Sequence, residues 1–307
     1  MDEPMTVLRP DPAPIPPKPD VKVGFAGLGS IGRSMAERLI DCGIGLVVWN
    51  RTLAKAEPLR ERGAMLAETP TDLASSVDVV VSCLHGPHAD RAVFLSRGGL
   101  LSNDIAGKLF VNTSTNGPDC AKELAHEAEQ RGAHYLDAPL LGAGPASAAA
   151  GRLLIPAAGR SEVVARAAPV LRCLATTIEH VGDVGMGQVV KLVNNMQVAV
   201  AAASLAQAIR FAVAAGADAE ALGRILPLSS SHSRVMDLWL ESMLRQAHGA
   251  GGGLSTLRKD VDLAVAFATS IGEHPTVAAA AAGMFADAVA QGWGDCAVPA
   301  LVETRAV

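Results

Sequence analysis

The chain has 307 residues, half of them apolar, and a formal net charge of −5 at pH 7. That length accommodates two domains and a sizeable core, and an acidic balance without a basic stripe excludes nucleic acid as an expected partner. With only three Trp, one Tyr and six Phe, the core has to be packed tightly from small side chains. Five cysteines, Cys42, Cys83, Cys120, Cys173 and Cys296, form no C-x-x-C pair. They read as free thiols in a reducing cytoplasm rather than as a disulfide framework.

Taken in chain order, residues 1–20 carry seven prolines and no apolar signal core, the pattern of a flexible Pro-rich tail outside the fold. Short apolar runs follow at 21–25, 46–49, 77–82, 109–111, 135–136, 153–157 and 177–180, alternating with helix-length segments such as 34–42 and 119–131. This alternation predicts a mostly parallel sheet with helices on both faces. After Gly187 the strands stop. Residues 188–215 read as one helix about 40 Å long. Helices at 219–226, 233–246, 263–269 and 276–291 and a glycine loop at 249–253 come after it. The fold class is therefore α/β: an N-terminal Rossmann-like, doubly wound domain over 21–183, joined by a long helix to an all-α C-terminal domain over 184–307. Residues 192–209 are uncharged over nearly a membrane-spanning length. Asn194, Asn195, Gln197, Ser204 and Gln207 interrupt them, so burial by the second domain and by another subunit is expected rather than a membrane.

The first run leads into Gly27-Leu28-Gly29-Ser30-Ile31-Gly32, a G-x-G-x-x-G turn with a strand before it and a helix expected from Arg33. Gly27 permits the tight turn, Gly29 lets backbone approach a pyrophosphate, and Gly32 lets helix and strand pack closely. The helix start offers free amides to phosphate. The end of the second strand discriminates between cofactors. An acid there holds the ribose 2′-OH of NAD, but this chain reads Asn50-Arg51-Thr52. Arg51 can pair with a 2′-phosphate, and Asn50 and Thr52 can hydrogen-bond it, which points to NADP(H). Cys83, Leu84, His85 and Thr115, at the ends of the third and fourth strands, should line the same crevice. His85 and His88 have ligand-like spacing but no third ligand nearby, so no metal is expected.

A second glycine-opened helix carries Gly185-Met-Gly187-Gln-Val-Val-Lys191-Leu-Val-Asn194-Asn195. Lys191 and Asn195 are i and i+4 and share a face. Burying a lysine among apolar residues is costly without a role or a partner. With its pKa lowered by burial, it can give a proton to a carbonyl oxygen that accepts hydride. The alternative is a lysine that snorkels to water from the helix start.

These pieces, in this order, resemble the β-hydroxyacid dehydrogenase family, of the 3-hydroxyisobutyrate dehydrogenase, tartronate semialdehyde reductase and glyoxylate/succinic semialdehyde reductase type. The resemblance runs from about Lys22 to Ala268. Gly27 to Gly32 match the cofactor motif, and Asn50-Arg51-Thr52 follows as in NADP-using members. Asp137-Ala138-Pro139 opens the substrate motif, Gly185-x-Gly187-x-x-x-Lys191-x-x-x-Asn195 matches the catalytic motif, and Lys259-Asp260 looks like the late contact with cofactor and substrate. The resemblance implies Lys191 as general acid/base with Asn195 as its neighbour. It implies Thr115 and Asp260 on the substrate side, Lys259 on the cofactor side, and homodimers or homotetramers built through the helical domain.

Two departures bear on the substrate. The family loop D-A-P-x-S-G-G here reads Asp137-Ala138-Pro139-Leu140-Leu141-Gly142-Ala143, so Leu141 replaces a serine hydroxyl. The amides of Gly142 and Ala143 remain for an anion. An aromatic residue common eight positions before the late aspartate is Gly252 here. Both point to a larger or less polar substrate. Two other readings stay open. An imine reductase on the same fold is favoured by Leu141 and opposed by Lys191. A non-catalytic NADP-binding module has no need of a buried lysine.

Overall fold

The computed structural model describes residues 13–16, 20–142 and 144–305. The chain falls into two compact units, Met1–Lys191 and Leu192–Val307. In the first, β1 (Val23–Ala26) leads into α1 (Ser30–Asp41), β2 (Leu46–Trp49), the one-turn α2 (Glu57–Arg60), β3 (Met65–Leu66) and α3 (Pro70–Ser76). Then come β4 (Val79–Ser82), α4 (Pro87–Leu95), β5 (Leu109–Asn112), α5 (Pro118–Glu129) and β6 (His134–Asp137). The unit closes with α6 (Pro145–Ala149), β7 (Leu153–Ala157), α7 (Ser161–Leu174) and β8 (Ala175–His180).

Six strands form one parallel sheet in the order β3-β2-β1-β4-β5-β6. Chain order reverses beside β1, the crevice where α/β sheets hold ligands at the carboxyl ends of their strands. Alternate side chains go to opposite faces. Phe25, Val48, Val81, Val111 and Leu136 enter one apolar cluster, while Ala26, Val47, Val80, Phe110 and Tyr135 enter another. Both faces are therefore dry, which is why these strands read as continuous apolar runs. Phe94 meets Phe110 and Tyr135 edge-on at 6.0 and 6.2 Å.

In this first unit, three details differ from expectation. First, α1 starts at Ser30 rather than Arg33, because Gly29 is already extended and takes the N-cap position. Second, β7 and β8 form a separate parallel pair rather than extending the main sheet. Pro156 has no N–H to give a second neighbour, and β7 reaches the β6 region only through isolated antiparallel bridges, Asp137 with Ala158 and Leu141 with Leu154. Third, part of the expected tail is docked. The Ala13 amide donates to the Ala150 carbonyl at 2.7 Å. Arg38, 3% exposed, donates to the carbonyls of Ala13 at 2.7 Å and Cys173 at 3.1 Å. Residues 1–12 and 17–19 of that tail lie outside the described residues.

The second unit is helical. α8 (Met186–Ala214) begins in the first unit and continues into the second; α9 (Ala219–Ile225), α10 (Arg234–Leu244), α11 (Gly253–Ser270) and α12 (Thr276–Ala290) follow. Small residues of α8, among them Ala199, Ala202 and Ala206, share a core with Leu240, Leu254, Val261, Phe285 and Leu301. By length and composition α8 is apolar enough to cross a membrane, but those alanines are core residues of the helical unit. α11 starts ten residues before the predicted 263. Gly252, left-handed at φ +63°, turns the glycine run directly into the helix.

Candidate active site

The turn from β1 into α1 is built on two glycines that admit no side chain and one that does. Gly27 has φ +99°, and a Cβ there would lie 2.4 Å from the Cys83 carbonyl oxygen. A Cβ on Gly32 would lie 2.1 Å from the Gly27 carbonyl oxygen, so helix and turn touch backbone to backbone. Gly29 differs: its φ of −67° suits any residue, and a Cβ there meets nothing within 4 Å. No side chain caps this helix start, so the first amides of α1, from Ser30 and Ile31 on, lack intrahelical acceptors. An open space over an uncapped helix N-terminus fits a pyrophosphate.

Leu28, between the glycines, is held from the end of β2. The Asn50 side-chain oxygen accepts from the Leu28 amide at 2.9 Å, and its amide nitrogen donates to the Thr52 carbonyl at 2.8 Å. Asn50 thus braces the glycine turn, a role its position alone did not disclose. Arg51 and Thr52 beside it are exposed. Cys83 and Leu84 follow β4 and are tied on both sides. The Cys83 amide donates to the Ala26 carbonyl and the Leu84 amide to Ser114 Oγ, both at 2.9 Å. Desolvation pushes the Cys83 thiol up to about 11, so it stays protonated at neutral pH. His85 is exposed and Thr115 half-buried.

Below this crevice lies a buried polar cluster. Asp90 of α4, fully buried, accepts from Ser114 Oγ at 3.0 Å and Asn116 Nδ2 at 2.8 Å. Gln188, in the first turn of α8, donates from Nε2 to the Ser114 carbonyl at 3.1 Å and to Asp137 Oδ1 at 2.7 Å. Its Oε1 accepts from the amides of Asn116 at 2.9 Å and Gly117 at 3.1 Å. Asp137 Oδ2 accepts from the amides of Gly185 and Gln188, both at 3.1 Å. Burial pushes the Asp137 carboxyl up to about 6, although these bonds favour its ionised form. One turn beyond Gln188, Lys191 is 9% exposed and donates from Nζ to the Leu140 carbonyl at 2.7 Å.

In the helical unit, Asn195, one turn after Lys191, donates from Nδ2 to Asp260 Oδ2 at 2.5 Å and accepts from Asn194 Nδ2 at 2.9 Å. Lys259 Nζ lies 2.5 Å from Asp260 Oδ1. Asp260 is 4% exposed. A carboxylate only accepts, so Asp260 fixes which way the Asn195 amide points. The Leu141 amide is spent on the Leu154 carbonyl at 2.8 Å, leaving only the Leu141 side chain for a ligand. Gly142 is exposed at φ +63°, and Ala143 lies outside the described residues.

A glycine-cradled α/β unit followed by a helical unit defines a nicotinamide-dependent oxidoreductase. Residues 22–182 match the sequence profile of the NAD binding domain of 6-phosphogluconate dehydrogenase, and residues 185–304 that of the NAD-binding region of NADP-dependent 3-hydroxyisobutyrate dehydrogenase. The chain belongs to the β-hydroxyacid dehydrogenase family. It is 32% identical to a probable mitochondrial 3-hydroxyisobutyrate dehydrogenase of Dictyostelium discoideum, over 89% of this chain and 87% of that one. It superposes on the Mycobacterium tuberculosis 3-hydroxyisobutyrate dehydrogenase, solved with L-serine, with TM-score 0.83 and 26% identity, covering 93% and 99% of the two chains. A reductive aminase from Aspergillus terreus, solved with NADPH4, cyclohexanone and allyl amine, gives TM-score 0.58 and 26% identity, covering 93% and 99%. The protein is thus an NAD(P)-dependent oxidoreductase of the hydroxyacid dehydrogenase class, which removes the reading as a non-catalytic module.

Proposed function

We propose that this enzyme uses NADP(H) to interconvert a small hydroxyacid and its carbonyl form, or a related semialdehyde, with Lys191 as general acid and base. The observation that carries the reading is Lys191 itself, a buried ammonium held by a neutral main-chain carbonyl, one helical turn before an asparagine whose amide is locked by a carboxylate. The nicotinamide, when bound, supplies or accepts the hydride. Lys191 Nζ gives its proton to the substrate oxygen in reduction and takes the hydroxyl proton in oxidation. Asn195 presents its amide to the same oxygen. Leu28, Gly29, Ser30 and Ile31 would hold the pyrophosphate, Arg51 and Thr52 the 2′-phosphate, and Cys83, Leu84, His85 and Lys259 the rest of the cofactor. Thr115, the Leu141 side chain, Gly142, Ala143 and Asp260 would contact substrate.

The absence of an acid at the end of β2, together with the exposed guanidinium of Arg51, supports NADP(H) over NAD(H). Exposed Phe211 and Leu228 on the helical unit, 75% and 82% accessible, support a homodimer or homotetramer through that unit. Five free cysteines fit a reducing cytoplasm. A second reading, imine reduction, is favoured by Leu141 in place of a hydroxyl and by the likeness to the Aspergillus reductive aminase. A panel of hydroxyacids, semialdehydes and cyclic imines, followed by nicotinamide absorbance with NADP(H) and NAD(H), decides between them. Turnover of imines alone would overturn the carbonyl reading.

A further inference from the structure

Gln188 is 1% exposed and both ends of its amide are fully used. Two acceptor bonds hold Asn116 and Gly117, and two donor bonds hold the Ser114 carbonyl and Asp137. An amide has two donor hydrogens and two acceptor lone-pair sites, so nothing is left over. The four partners come from two separate parts of the first unit. Three flank Thr115 in the loop after β5. The fourth, Asp137, ends β6 and stands three residues before Leu140, whose carbonyl holds Lys191 Nζ. Asp137 in turn accepts from the Gly185 and Gln188 amides at the start of α8.

We propose that Gln188 is the positioning residue of the active site. It locks the Thr115 loop, the Asp137–Leu140 segment and the first turn of α8 into one rigid seat that aims the Lys191 ammonium. This rests on Lys191 as the proton donor. Gln188 touches no reacting atom in this assignment; it acts through Asp137 and the β5–α5 loop. An apolar side chain of the same length would leave the Asn116 and Gly117 amides, the Ser114 carbonyl and an Asp137 oxygen unpaired in a dry site, which a well-packed core rarely tolerates.

The test compares Gln188→Met and Gln188→Glu with the native enzyme. Gln188→Met is expected to keep NADPH affinity within about threefold, since it leaves the glycine turn alone, while kcat falls by roughly 10²-fold, as misplacement by about 1 Å can produce. Amide hydrogen exchange at Asn116 and Gly117 should accelerate without any substrate present. Gln188→Glu retains the acceptor for those amides but sets a second carboxylate against Asp137. Asp90 lies one bond further through Asn116, and Lys191 one turn away. Its activity relative to native should recover as pH falls toward 6, where a proton shared with Asp137 restores the lost donor. Native kcat in Gln188→Met, or unchanged exchange at both amides, overturns the proposal. If Gln188→Met does not fold, the pH recovery and exchange of Gln188→Glu decide instead, and a flat pH ratio with native exchange overturns it. The exchange measurement needs no turnover, so an inactive native enzyme would overturn the functional reading while leaving the seat itself tested.

Discussion

The ammonium of Lys191 is held at 2.7 Å by the main-chain carbonyl of Leu140, three residues beyond the buried Asp137. This bond fixes where the Lys191 Nζ sits relative to the Asp137–Leu140 segment. That segment is anchored at Asp137 by the Gln188 side chain and by the Gly185 and Gln188 amides at the start of α8.

Lys191→Ala should lower kcat by roughly 10²–10⁴, the usual share of a positioned acid or base, with NADPH affinity retained. Steady-state kinetics and a fluorescence titration on the same preparation check this. Turnover at the native rate would remove Lys191 from the chemistry.

The glycines of the first turn should behave differently from one another. At Gly29 an added methyl meets nothing in the protein, so Gly29→Ala is expected to fold and melt like the native chain. It should bind NADPH at least about tenfold more weakly, a loss of ~1.4 kcal/mol. Gly32→Ala drives a Cβ into the Gly27 carbonyl and should instead cost folding stability. Calorimetry of both variants, with and without NADPH, separates the effects; native affinity in Gly29→Ala would place the pyrophosphate elsewhere.

Arg51 and Asn50 are neighbours with different expected effects. Loss of one charge-assisted hydrogen bond, about 1.5–3 kcal/mol, should make Arg51→Ala roughly ten- to a hundredfold weaker for NADPH while NADH binding stays level. Asn50→Ala removes the brace on Leu28 and should weaken both cofactors together. Titrations with the two reduced cofactors test this, and equal losses in Arg51→Ala would point away from a 2′-phosphate contact.

Asp137 makes a stability prediction with a definite sign. Its carboxyl is raised from 3.8 to about 6 by burial, so the folded chain holds that proton more tightly than the unfolded chain. Its stabilising contribution is complete below about pH 4 and is lost as pH rises toward 6, on the order of 2–3 kcal/mol. Urea unfolding across pH 4–7 should show this decline in the native protein and not in Asp137→Asn. Parallel curves would assign the titration to another group.

Much of the fold could be read from the chain because its strands are dry on both sides and its glycines sit between a strand and a helix. The runs at 46–49 and 153–157 match β2 and β7 residue for residue. Short polar helices were harder to read. α3 is set by a Thr69–Asp72 capping box and a first-turn proline, α4 by Pro87 after left-handed Gly86, and neither has a long apolar stripe. The polar cluster was illegible for a different reason. Asp90, Asn116 and Gln188 look like solvent-facing residues until the sheet brings together positions more than 70 apart in sequence. The one local hint was a glutamine in the first turn of the helix that carries Lys191. For Asn50, the spacing identified the right end of β2 but not the inward hydrogen bond to Leu28.

Arg38 buries its guanidinium against carbonyl oxygens of Ala13 and Cys173, and a main-chain oxygen is the same in every amino acid. Any residue that keeps a main-chain N–H can therefore stand at 13, whereas trimming the chain past it would take a carbonyl partner from the buried Arg38 guanidinium. A chain trimmed at residue 19 should melt earlier than the 307-residue protein, while Ala13→Ser should leave the transition where it was.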